Sequence, residues 1–326
     1  MHLLLSLFLL APGPVAAQLR QARGFAPIPF ERRLRRAYVQ FFEEKAQTNR
    51  VARDAWSFYQ DRPAFAFLVL TDDEFIHTFG WGTWAKADAL YGARQQAIFL
   101  PERTLKVLGD QSIREDLSED QFRVLVETTA ATMVHETSHA MTATALPFRA
   151  PLVLEDEYLA FAREAEFQLA EAAPASESLA KHMRRFRAQL EEAKAAAARG
   201  DTARKEALRR TMDADIARLE RELPALCGGR LFTCHYLYGW GPFTEFIDRH
   251  YRGIVSVRSE PGPQAERLKA LLARSDLAPE SRGVFEAELA FWRDPRRLAE
   301  AQRYFDEALA PLRVRMDQGS LFGPAQ

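Results

Sequence analysis

The pentapeptide His135-Glu136-Thr137-Ser138-His139 holds the residues of this sequence best suited to chemistry. Residues four apart on a helix lie on one face, one turn from each other. His135 and His139 are therefore placed to bind one metal ion through their imidazole nitrogens. Glu136, beside the first histidine, is placed to take a proton from a water molecule at that ion. Because zinc lowers the pKa of such a water towards neutrality, the pattern predicts one Zn2+ per chain with Glu136 as general base.

The motif falls on a predicted helix that begins at Ser118 and ends before Pro147. Gln121 follows Ser118 by three residues, which is the capping-box arrangement of a helix start. Apolar residues then recur at helical spacing as far as the motif. The sequence therefore predicts that the two histidines are carried by a well-formed helix.

A catalytic zinc also needs a third protein ligand and an open position for water. The next predicted helix runs from about Leu154 to Ala172, and two prolines in the connection allow the chain to turn back towards the histidines. Glu155, Asp156 and Glu157 lie at its start. All three are alternatives for the third ligand.

These two helices resemble the gluzincin group of metallopeptidases over residues 119–167. The string Glu155-x-Glu157-x-x-x-Phe161-Ala162 is similar to the second motif of smaller bacterial gluzincin-like peptidases. The resemblance implies a zinc peptidase in which His135, His139 and Glu157 bind the metal and Glu136 is the catalytic base.

The sequence departs from the gluzincin pattern at one position. Many gluzincins have an acidic residue four positions after the ligand glutamate, where it orients a histidine, but here that position is Phe161. Glu164, further along the same helix, is the alternative for that supporting role, and Glu155 stays an alternative ligand or supporting residue.

Stabilisation of the transition state needs a hydrogen-bond donor from outside the motif. His250 and Tyr251 are secondary candidates for this role, after the leading candidates His235, Tyr236 and Tyr238. The leading candidates lie beside Cys227 and Cys234, the two cysteines of the chain. In an exported protein, two cysteines at such short spacing predict one disulfide that closes a small loop.

Two strands are predicted before the motif helix. The first, Ala64 to Leu70, leads into a turn at Thr71-Asp72-Asp73, and the second runs from Gln96 to Leu100. The second strand is a candidate for the sheet edge to which a peptide substrate would add. A plain core strand is the alternative interpretation.

The first residues have the pattern of a secretory signal peptide. An apolar run from Leu3 to Ala11 leads to prolines and then to the small residues Val15-Ala16-Ala17. We expect residues 1–17 to be removed and the chain to be periplasmic or secreted. The run is too short to span a bilayer, so no transmembrane span is expected in the mature chain.

The charge balance excludes some partners. The formal net charge is −1 and no long basic stripe occurs. The basic cluster from Arg32 to Arg36 opens a predicted helix and is followed by Glu43 and Glu44, so we interpret it as a solvated helical face. Nucleic-acid binding is therefore not expected, and the expected partner is a peptide or protein substrate.

The pattern of elements predicts a mainly α fold of the α+β class, with a zincin-like helical domain and a small β-sheet. Residues 25–175 are the predicted catalytic region and open with one helix from Pro29 to about Gln60. Residues 176–224 are predicted to form an αα-hairpin insertion with coiled-coil-like seams, and residues 225–326 the C-terminal helical part of the same domain. The hairpin packs on itself or on the main domain, or it docks a protein partner.

Two further functions stay open at this point. One is a catalytically inactive, metallopeptidase-like envelope scaffold or binding protein that uses the αα-hairpin. The other is a metal-dependent hydrolase of non-peptide amide bonds, such as those of cell-wall material. The presence of His135, Glu136, His139 and a downstream glutamate favours an active enzyme.

Overall fold

The protein is mainly helical, with one three-stranded mixed sheet in the part of the chain that the structure describes. The computed structural model describes residues 27–318 except 86, 94, 106–116, 147–150, 172–175, 227–230, 276 and 278. The predicted α+β class with a small sheet is confirmed. The helices are α1 (Pro29–Lys45), α2 (Arg50–Gln60), α3 (Asp72–Phe79), α4 (Trp81–Trp84), α5 (Glu102–Leu105), α6 (Glu119–Ala145), α7 (Leu154–Glu171), α8 (Ser176–Ala198), α9 (Thr202–Leu226), α10 (Leu231–Tyr238), α11 (Trp240–His250), α12 (Pro261–Leu272), α13 (Pro279–Arg293) and α14 (Pro295–Gln318). The strands are β1 (Ala66–Leu70), β2 (Leu90–Gly92) and β3 (Ala97–Pro101).

The described chain divides into two compact units. The first comprises the chain up to Ala160 together with Gly253–Tyr304, and the second comprises Phe161–Arg252 together with the chain from Phe305 onward. The chain passes from one unit to the other inside α7 and inside α14 as well as between Arg252 and Gly253.

The predicted single helix from Pro29 to about Gln60 is wrong, because the segment forms two helices, α1 and α2. Asn49 separates them: its side-chain oxygen accepts hydrogen bonds from the main-chain N–H groups of Val51 and Ala52. An asparagine at this position satisfies N–H groups that have no partner within the helix, so a second helix begins at Arg50.

The predicted turn at Thr71-Asp72-Asp73 is also wrong, because it is the start of α3. The Thr71 hydroxyl accepts from the Glu74 N–H, and the Glu74 carboxylate accepts from the Thr71 N–H. This reciprocal capping box replaces the turn with a helix.

The predicted strand at Gln96–Leu100 is confirmed as β3, which lies in the middle of the sheet. It pairs in parallel with β1 on one side and antiparallel with β2 on the other. A strand therefore lies on each side of β3, β1 along its whole length and β2 along Ala97–Phe99, and all of its residues are buried. Of the two interpretations, the core strand is the one that the structure bears out.

Helix α6 carries the motif and begins as predicted. Ser118 and Gln121 form a capping box at its first turn. Buried tyrosines from the N-terminal helices then fix it laterally: Tyr38 of α1 contacts Thr129 with 2.6 Å between the hydroxyl oxygens, and Tyr59 of α2 contacts Thr137. The N-terminal helices thereby hold the helix that bears the histidines.

In the second unit, α8 and α9 pack against each other as the predicted αα-hairpin. Gly200 joins them with a φ of +72°, a left-handed conformation that glycine adopts without strain. The Arg204 guanidinium donates to Glu192 across the pair at 2.9 Å. The protein partner predicted for this hairpin stays a prediction.

Some predictions lie outside the described residues. They are the signal peptide at residues 1–17 and the disulfide, since Cys227 and the side chain of Cys234 are not described. Within the described ranges, no helix is both long and apolar enough to cross a membrane.

Candidate metal centre

His135 and His139 lie one turn apart on α6, and their side chains meet. The two Nε2 atoms are 3.2 Å apart, and the ring centroids are separated by 4.9 Å. Both side chains are close to fully buried. The helical spacing therefore produces the histidine pair that the sequence predicts.

Glu157, at the start of α7, brings its carboxylate to the same point. Its Oε2 lies 3.6 Å from Nε2 of His135, and its Oε1 lies 3.9 Å from Nε2 of His139. One ligand atom from each of the three residues falls within 4.8 Å of the others, and among the described residues this is the group that could hold a metal ion.

The three residues could hold a metal ion. At zinc–ligand distances of 2.0–2.2 Å, neighbouring ligand atoms of a tetrahedron are about 3.3–3.6 Å apart. Two of the separations found here, 3.2 and 3.6 Å, are close to this range, and the 3.9 Å between Nε2 of His139 and Oε1 of Glu157 is longer. Oε2 of Glu157 is buried and accepts no hydrogen bond within the described part of the chain. A buried carboxylate oxygen without a partner is costly, and a cation at the centre of the group would satisfy it.

Asp156 orients one of the histidines. Its Oδ2 lies 2.8 Å from Nδ1 of His139. In the neutral imidazole, with Nδ1–H donated to this carboxylate, the lone pair of Nε2 is directed towards Glu157 and His135. Asp156, an alternative ligand by sequence, thus contacts a histidine from outside the three converging groups, and the supporting role of Glu164 stays a prediction.

The pKa values reflect this burial and charge. Burial lowers the pKa of His139, but the charge and hydrogen bond of Asp156, together with Glu157 and Glu136, outweigh it and raise the pKa to about 10. Burial raises the pKa of Glu157 against the opposing effect of the two histidines. Without a metal, the imidazole of His139 therefore retains its second proton at neutral pH.

Glu155 points away from the histidines. Its two oxygens accept hydrogen bonds from the Ser256 hydroxyl at 2.5 Å and from the Val257 N–H at 2.9 Å. It therefore anchors the segment before α12 and is not one of the three converging groups. Glu164 is buried and belongs to the second unit, and it is likewise not part of the group.

Glu136 is buried beside the three metal-binding candidates. Its Oε2 accepts a hydrogen bond of 2.6 Å from the main-chain N–H of Tyr91 in β2. Its charge contributes to the raised pKa values of both His139 and Glu157. The predicted general base is therefore held close to the group by the sheet.

His235 and Tyr238, the predicted transition-state donors, lie in the second unit on α10. The ring of His235 stacks on Phe246 with centroids 4.5 Å apart, and burial, followed by Arg249 and His250, lowers its pKa. Tyr238 is buried. Their role in a reaction stays a prediction.

Sequence reasoning missed the parts played by Asp156 and Tyr91. A signal existed for Asp156, since it is one of three consecutive acidic residues on a helix start. No signal existed for Tyr91, because β2 spans only Leu90–Gly92 and is too short for a recognisable alternation.

Comparisons of this chain with protein-family models, with curated proteins and with solved structures give no match. The resemblance to gluzincins therefore stays a prediction. What can be said of the site rests on its own geometry.

Proposed function

We propose that this chain is a zinc-dependent hydrolase that cleaves peptide bonds. The observation that carries the proposal is the convergence of His135, His139 and Glu157 around one point, with the buried carboxylate of Glu136 beside it. Two histidines and a glutamate are the protein ligands of one established class of catalytic zinc site, in which a fourth position is left for water.

A zinc ion held by these residues would supply Lewis-acid chemistry, since it lowers the pKa of water and polarises a carbonyl oxygen. The protein's own groups do the rest. Asp156 holds His139 in the tautomer that presents Nε2 to the ion. Glu136 takes the proton of the attacking water and passes it to the nitrogen of the leaving amine.

The first test compares peptide hydrolysis by the wild type, Glu136→Gln and Glu127→Gln, each loaded with zinc. Glu127 is exposed on the same helix and serves as the matched control. We expect Glu136→Gln to lower kcat/KM about 100- to 10,000-fold, because it removes the general base, while its zinc content stays that of the wild type. Cleavage of a mixed peptide library, followed by mass spectrometry, measures the rate.

Two outcomes would overturn the proposal. Hydrolysis that persists unchanged in Glu136→Gln would show that the cleavage does not come from this site. A wild type that binds zinc but cleaves no peptide in the library would favour the scaffold or the hydrolase of other amide bonds.

A further inference from the structure

Strand β2 is the edge of the sheet next to α6. Its partner in the sheet is β3, with Leu90 opposite Phe99 and Gly92 opposite Ala97, and its other side is packed near α6. Along an antiparallel edge strand, successive residues direct their main-chain N–H and C=O groups alternately to the neighbouring strand and away from it.

Tyr91 is the residue of β2 whose main chain faces away from β3. Its N–H donates to Oε2 of Glu136 at 2.6 Å, whereas Leu90 and Gly92 face β3. Within β2, the outward N–H group is therefore engaged by the carboxylate and is not left for another strand.

The contact is short and largely buried. Glu136 is 7% exposed, and a buried carboxylate requires a donor. A hydrogen bond to an ionised acceptor is shorter and about twice as strong as one between neutral groups. Because the donor belongs to the backbone of a paired strand, its position is fixed, and it restricts a side chain that otherwise has three rotatable bonds.

The Glu136 carboxylate is also close enough to act electrostatically on His139 and on Glu157. The same side chain thus joins the sheet edge at one oxygen and lies beside the metal-binding candidates. A contact that merely fastened α6 to the sheet would not require a charged residue at this place, since an apolar side chain would pack there at lower cost.

We infer that the main-chain N–H of Tyr91 is a positioning group for the general base. It holds Oε2 of Glu136 and so leaves the second carboxylate oxygen to accept the proton from water. The inference rests on the proposed function for its catalytic meaning, but the contact itself can be tested on the protein without metal or substrate. Strand β2 then contributes to the site through a main-chain group, so no side-chain motif in the sequence marks it.

The contact is tested by amide hydrogen exchange of the full chain labelled with [15N]tyrosine. The sequence has eight tyrosines, so the spectrum is simple, and Tyr91→Phe assigns the signal that disappears. We expect the Tyr91 amide to exchange at least about tenfold faster in Glu136→Ala than in the wild type, because it loses its acceptor. The Tyr236 amide, inside α10 of the second unit, is the control and should not change.

The catalytic consequence is tested with Tyr91→Pro against Tyr91→Ala in the zinc-loaded enzyme. Proline removes the N–H and is tolerated on an edge strand where that group is not part of the ladder, whereas alanine removes the side chain and keeps the N–H. We expect kcat of Tyr91→Pro to be about 10- to 100-fold below that of Tyr91→Ala, with KM within about twofold.

The two arms separate the inference from the proposed function. A Tyr91 amide that exchanges at the wild-type rate in Glu136→Ala overturns the inference, as does equal kcat for Tyr91→Pro and Tyr91→Ala in an active enzyme. If the wild type hydrolyses nothing, the proposed function fails, and the exchange measurement alone decides whether Tyr91 holds Glu136. Should Tyr91→Pro not fold, as judged by circular dichroism, the exchange measurement decides as well.

Discussion

Three consecutive acidic residues at the start of α7 contact three different groups. Glu155 binds the main chain at Val257, Asp156 binds Nδ1 of His139, and Glu157 faces the Nε2 atoms of both histidines. Successive residues of a helix are rotated by about 100°, so neighbours in sequence necessarily point in different directions. One turn of helix thereby supplies an anchor, an orienting carboxylate and a metal-binding candidate.

The proton that His139 retains at neutral pH should make metal binding pH-dependent. The pKa of His139 is raised to about 10, so at pH 7 its imidazole is protonated and must lose that proton to bind a metal. Raising the pH towards 10 makes this loss easier, and zinc affinity should rise about tenfold per pH unit for each proton released. Calorimetric titration at pH 6.5 and 7.5, in buffers with different ionisation enthalpies, counts the protons.

Asp156→Asn is the matched variant for this measurement. It removes the charge that raises the pKa of His139, so less proton release is expected, together with about 10- to 100-fold weaker zinc binding because the imidazole is less well oriented. Zinc affinity that is the same at both pH values in the wild type would contradict this account of the charges.

The sequence predicts the histidine pair, because helical spacing alone brings His135 and His139 together. It predicts Glu136 because this residue follows the first histidine in the motif. Resemblance, and not spacing, singled out Glu157. Which of the three acidic residues faces the histidines depends on the rotation of α7 about its axis. That rotation is set by packing partners such as Ser256 and Val257, about a hundred positions away in the chain.

At the scale of elements, tyrosine side chains from α1 and α14 contact α6 at two places. The Thr129 hydroxyl donates to the carbonyl of Leu125, so the hydroxyl of Tyr38 donates to the Thr129 oxygen, at 2.6 Å. Tyr304 of α14 makes a longer contact of 3.4 Å with Thr142, near the other end of the helix. The two contacts differ in length and in burial.

This difference predicts unequal losses of stability. Tyr38→Phe removes a short, fully buried hydrogen bond and should lower the free energy of unfolding by ~1–2 kcal/mol, whereas Tyr304→Phe should lower it by less. Urea denaturation followed by circular dichroism measures both. A Tyr38→Phe variant no less stable than Tyr304→Phe would show that this hydroxyl does not help to hold α6.

Local signals in the sequence explain which elements could be predicted. The capping box at Ser118 and the apolar run before Pro101 locate α6 and β3. The division between α1 and α2 at Asn49 was missed because the apolar periodicity continues past it. Strand β2 was missed because its stability comes from pairing with β3 and from Glu136, both distant in sequence.

At the scale of the whole molecule, the metal-binding candidates and Glu136, the proposed general base, all belong to the first unit. The composition of the chain indicates the αα-hairpin. It does not indicate that Gly253–Tyr304 belongs to the first unit. The return is fixed by polar contacts between remote positions, such as Val257 with Glu155 and the Gln302 amide with the Val257 carbonyl. Contacts between residues so far apart produce no periodic pattern in the sequence from which they could be predicted.

The zinc content of the purified full chain tests directly whether His135, His139 and Glu157 form a zinc site. It is determined by elemental analysis after removal of loosely bound metal. We expect about one zinc per chain in the wild type, less than about a tenth of that in His135→Ala and Glu157→Ala, and an unchanged content in His77→Ala. His77 lies on α3, outside the group. A wild type without tightly bound zinc would contradict the proposed zinc site, and a Glu157→Ala variant that retains its zinc in full would contradict Glu157 as a ligand.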